Sequence, residues 1–167
     1  MYHYFLKLLR VRLPSSTDDP NVEALAPWEV APDTIPESFW SRFASLIEEL
    51  ETLGFHSPLV HRIEDELHKT ETCLISFVHE SGSAVARIHE RVWRYHIPNR
   101  RSLFTEFITS HEGGGFLWSL SSKPDLKAPP NCRVVRRTGL GPTELWKAHQ
   151  TALEKMDAAE PVMAAAS

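Results

Sequence analysis

At 167 residues, 42% hydrophobic and 24% charged, the chain has the length of one domain and enough apolar side chains for a core of its own. No uncharged apolar run approaches the roughly 20 residues that span a bilayer, and the two cysteines, Cys73 and Cys132, form no CxxC pair, which excludes a disulfide framework and a cysteine-rich zinc site. The net charge of −4 hides a split, with 13 acids against 3 bases over residues 15–71 and 9 acids against 12 bases over residues 72–167, a pattern that fits surfaces attracting each other and disfavours non-specific DNA binding.

Residues 1–33 read as an extended lead-in. Tyr2, Tyr4, Phe5, Leu6, Leu8 and Leu9 stand beside Lys7, Arg10 and Arg12, and a turn or linker follows over Pro14–Pro20. The bases interrupt the apolar stretch and no small-x-small cleavage site follows, so the expected location is cytoplasmic. Residues 1–13 suit docking on a protein, with peripheral membrane contact as the alternative.

A helix is expected over 36–53. Thr34 and Glu37 have capping-box spacing and Pro36 suits an early helical position. Phe39, Phe43, Leu46, Ile47, Leu50 and Leu53 recur at helical steps, and Gly54 stands where a left-handed cap belongs. The period then drops to two. Strands are expected at Leu59–Ile63, Thr72–His79, Ala84–Val92, Leu103–Thr109, Phe116–Leu120 and Cys132–Arg137, the last at an edge. Glu80–Ser83 and Glu112–Gly115 read as turns, and Tyr95–Asn99 as a loop. A second helix is expected over 142–156, with Leu145, His149, Leu153 and Met156 as its stripe and Trp146 on the flank.

The fold expected is α+β: a single antiparallel sheet of five or six strands in a meander, with both helices on its apolar face. Residues 34–157 form the domain and 158–167 a flexible tail.

Catalytic patterns are absent from the sequence. His56, His61 and His68 stand five and seven apart, not at the four-residue step of a helical zinc pair. No Gly-x-Ser-x-Gly elbow occurs, and Gly113–Gly115 lacks the Gly-Lys-Ser/Thr ending of a phosphate loop. No metal and no cofactor is therefore expected.

The segment richest in chemistry is residues 87–101, which holds five arginines, Trp93 and Tyr95 against a single acid, Glu90. Guanidinium groups beside stacking aromatics suit anionic ligands and acidic peptides. Alternation puts Arg87, His89, Arg91 and Trp93 on an exposed side of a strand whose other side, Ala84, Ala86, Ile88 and Val92, faces the core. Arg94, Tyr95, Arg100 and Arg101 complete the candidate contact set. The function expected is a non-catalytic protein-binding or scaffold module, with a protein partner or a second copy of the chain as its target rather than nucleic acid. The alternative is a small-ligand-binding domain or enzyme with a pocket between sheet and helices, which a cavity lined by Phe77, Phe107 and Trp118 would favour.

Overall fold

The computed structural model describes residues 28–31, 34–35, 37–65, 69–94, 100–111, 115–122 and 131–158. The expected loop Tyr95–Asn99, most of the Gly113–Gly115 turn, residues 1–27 and the tail beyond Ala158 lie outside the described residues.

Along the chain the elements are β1 (Glu29–Val30), α1 (Glu37–Thr52), β2 (Phe55–Asp65), β3 (Thr70–His79), β4 (Ala84–Trp93), β5 (Arg100–Ser110), β6 (Phe116–Leu120), β7 (Cys132–Arg136) and α2 (Pro142–Asp157). The strands form one sheet in sequence order, β1 through β7, and every neighbouring pair is antiparallel except β6 with β7. The class is therefore α+β with a mostly antiparallel sheet.

Two expectations about the sheet's topology need correction. The sheet has seven strands because Glu29 and Val30, inside the proline-rich lead-in, pair with His61 and Val60; a two-residue strand is too short to show a period of two. The last strand runs parallel to β6, not antiparallel, because the connection over residues 121–131 is long enough to carry the chain back to the starting end. β2 also begins earlier than expected, at Phe55, with a register shift between His56 and Leu59 where Ser57 takes φ 58° beside Pro58. Proline is tolerated there because β1 reaches only Val60 and His61, so no ladder partner needs the missing N–H.

Both helices lie on one face. Phe39, Phe43 and Leu50 of α1 pack on Val60, Ile75, Phe77, Ala86 and Ile88. Gly54 holds φ +87°, the left-handed value expected of it, and Phe55 follows it fully buried. The Thr34 hydroxyl donates to the Ala31 carbonyl at 2.6 Å, and Pro36 lies outside the described residues. In α2 the buried side is Pro142, Leu145, Trp146, His149 and Ala152, while Leu153 and Met156 are only half-buried. The helix is thus rotated toward Trp146, whose ring meets Phe55 and Phe107 at about 5 Å. The N-terminus of α2 takes its cap from α1, where the Glu49 carboxylate accepts from the Thr143 N–H at 2.8 Å.

Phe77 and Phe107 are fully buried in this core, and Trp118 belongs to the opposite face of the sheet. They line no common cavity. No described helix is long and apolar enough to cross a membrane.

Candidate functional site

The strand register distributes the basic stretch over both faces of the sheet. On β4, Ala84, Ala86 and Ile88 are at most 2% exposed beneath the helices, as alternation requires. Arg87, His89, Arg91 and Trp93 point the other way, joined by Arg100 of β5, which pairs with Trp93.

The outer face is not uniformly open. One cross-strand row runs Ser76, Arg87, Glu106, Leu120, and the next runs His61, Leu74, His89, Phe104. Arg87 and His89, expected among exposed residues, are largely buried because they close around Glu106 of β5. The His89 ring comes within 2.8 Å of the Glu106 carboxylate, off straight hydrogen-bond geometry, the Arg87 guanidinium lies 3.7 Å away, and Trp118 donates its indole N–H at 2.8 Å. The His89 ring stacks on Phe104 at 4.4 Å. Burial alone would raise the Glu106 carboxyl, but the His89 ring, Arg87 and the Trp118 donor outweigh it and hold the pKa near 2. Burial lowers His61, and its Nδ1, the Ser76 hydroxyl and the Arg87 Nε are buried with no hydrogen-bond partner among the described residues. The Arg87 and His89 side chains are 15% and 10% exposed in this centre.

Openness begins one register step further along. Arg91 donates to the Thr72 hydroxyl at 3.4 Å, and its guanidinium stands 5.9 Å from the Trp93 ring centroid. Arg100, exposed, stands 5.4 Å from the same ring. The half-buried indole thus carries two guanidinium neighbours.

At the same end of the sheet, the helix-side face carries the remaining arginines. The rows here are Arg62, Cys73, Glu90, Leu103 and Glu64, Glu71, Val92, Arg101. Glu90 is shared by Arg42 of α1 at 3.2 Å and Arg101 at 3.3 Å. Glu71 is shared by Arg62 at 2.8 Å and by Arg94. These groups border a cleft of about 270 Å³ between α1 and the strands. The Cys73 thiol beneath it is pushed up to about 12 by burial and by Glu90 and Glu71, which keeps it protonated at neutral pH. Burial and Glu106 raise Cys132 to about 11.

The chain matches no family model, no curated protein and no solved structure.

Of the eight residues singled out from sequence, Arg91, Trp93 and Arg100 gather on the outer face, Arg94 and Arg101 border the cleft, Arg87 and His89 belong to the buried centre, and Tyr95 lies outside the described residues. Sequence reasoning passed over Glu106. The available signal was an acid between Phe104 and Ile108, on the same side of a strand too apolar to leave a carboxylate unpaired. Arg42 was equally hidden, since only the fold brings its helix over Glu90.

Proposed function

We propose that this domain is a non-catalytic protein-binding module that takes an acidic, aromatic-compatible segment of its partner at the Trp93 end of the sheet. The observation that carries this reading is the half-buried Trp93 ring flanked by the guanidinium groups of Arg91 and Arg100. Tryptophan and arginine supply large contact area and forked donors, the combination enriched at interface hot spots. The pocket expected between Phe77, Phe107 and Trp118 does not form, since the first two are buried beneath the helices and the third lies on the opposite face.

The fold also selects the variant that tests the reading. Arg87→Glu would set a second carboxylate against buried Glu106 and unfold the site, whereas Arg91 is half-buried and Arg100 exposed. Arg91→Glu with Arg100→Glu is expected to cost no more than about 1 kcal/mol of stability and to abolish binding of Glu- and Asp-rich peptides containing Leu and Tyr, measured by fluorescence anisotropy. Equal peptide binding by this variant and the wild type, or a preference for single-stranded RNA with steep salt dependence, overturns the proposal.

A further inference from the structure

The cleft on the helix side has a chemistry of its own, and none of its lining residues belongs to the Arg91, Trp93, Arg100 cluster. Two carboxylates there each hold two arginines: Arg42 and Arg101 on Glu90, Arg62 and Arg94 on Glu71. Glu64, just outside the lining, approaches Arg62 at 3.1 Å and Arg94 at 3.9 Å. Among the described side chains, four guanidinium groups against three carboxylates leave one positive charge in excess.

That excess sits on groups with donors to spare. Among the described residues, Arg101 donates to Glu90 through Nη1, and Arg94 donates to Glu71 through Nη2, which also lies nearest Glu64. Each keeps a further nitrogen edge, and the two side chains are 53% and 48% exposed, so an incoming oxyanion can reach them. Arg42 is fixed from behind, donating to the Ser38 carbonyl at 2.9 Å and lying over the rings of Phe39 and Phe43. Ile35, Phe39 and Val92 supply an apolar part of the wall.

We infer that this cleft binds a small monocarboxylate with an apolar body, its carboxylate accepting from Arg94 and Arg101 and its body resting on Ile35, Phe39 and Val92. One surplus charge matches a monoanion, whereas a phosphate dianion would exceed it. A volume of about 270 Å³ restricts the ligand to about the size of one ring. Guanidinium edges suit carboxylate geometry, and the contact is stronger for being charge-assisted. The same chemistry is offered by a free organic acid and by the end of a peptide whose last residue is apolar.

The test is an amide NMR titration of the full chain with phenylacetate, with phenylacetamide as the neutral counterpart and phenyl phosphate as the dianion. Saturable shifts in β3, β4 and α1 with phenylacetate alone are expected. Arg94→Gln and Arg101→Gln should each weaken binding about tenfold at unchanged melting temperature, since Glu71 keeps Arg62 and Glu90 keeps Arg42. A peptide ending in phenylalanine, compared as free acid and as amide, separates the sources: tighter binding of the acid peptide than of phenylacetate assigns the cleft to a chain end, and the reverse to a free acid. No saturable binding of either carboxylate, equal binding of phenylacetamide, or wild-type affinity in both glutamine variants overturns the inference.

Discussion

Glu106 is the residue on which the outer face depends. Its carboxylate is almost fully buried and is held by Arg87, His89 and Trp118. Glu106→Gln keeps the shape but leaves the Arg87 guanidinium buried without a counter-charge, which costs about 3–5 kcal/mol; urea unfolding at pH 7 checks this, and a loss under about 1 kcal/mol contradicts it. His149 offers a pH test. Its ring bridges the Thr109 and Ser119 hydroxyls at 2.8 Å each, stacks on Trp146 and is pushed down to about 4 by burial. An unfolded histidine titrates near about 6.5, so between those values the unfolded chain takes up a proton that the folded chain does not. The contribution is complete above about 6.5 and is lost as the pH falls toward 4, by up to roughly 3 kcal/mol at about 1.4 kcal/mol per pH unit. Burial also lowers His61, which acts in the same direction. Urea unfolding of the wild type from pH 7 to 4.5 should show this decline, and His149→Gln a shallower one; a flat wild-type profile contradicts it. Glu106 does not confuse the window, because its own contribution is lost only as pH falls below the ordinary carboxylate range toward 2.

At the scale of elements, the two helices share the cover of the sheet, α2 lying along β5, β6 and β7 and α1 along β2. Phe43 is 1% exposed within a cluster that includes Phe39, Leu50, Ile75 and Phe77. Phe43→Ala should cost about 3–5 kcal/mol by denaturant titration, and a loss below about 1 kcal/mol would show that the helix does not cover the core. This element was legible because six apolar residues recur at helical steps before a glycine, and Phe116–Leu120 was legible because glycines and a serine pair bound it. β1 was not, since two residues carry no period, and the parallel direction of β7 was not, since nothing in Cys132–Arg136 records which way the preceding connection returns. Alternation placed Arg87, His89, Arg91 and Trp93 on one side correctly, yet gave no hint that a glutamate from β5 would draw the first two out of solvent. Exposure is set by neighbours across the sheet, which a single strand's pattern does not contain. Glu49 makes the same point, reading as a solvent-facing acid and capping a helix that starts 93 residues later at Pro142.

For the whole molecule, the charge split is resolved in part at one end of the sheet. Arg94 and Arg101 of the basic half reach Glu71 of the acidic half and Glu90, while Arg42 of the acidic half crosses to Glu90. Among the described side chains the arginines exceed the carboxylates they meet on the helix side, and Arg91 and Arg100 stand around Trp93 on the other face, although the chain is acidic overall. The acidic partner segment proposed above would be attracted to such a patch at short range, without the long-range field that nucleic-acid binding exploits. Its weak salt dependence should be visible as a change in peptide affinity of less than about tenfold between 50 and 200 mM salt, where six or more phosphate contacts would give about a thousandfold or more. The most direct measurement is an amide NMR titration of the isotope-labelled protein with a Glu- and Asp-rich peptide containing Leu and Tyr. The largest shifts should fall on Arg91, Trp93 with its indole N–H, and Arg100, and should vanish in the Arg91→Glu, Arg100→Glu variant; shifts confined to β6, β7 and α2, or none at all, would contradict the assignment of this end as the binding surface.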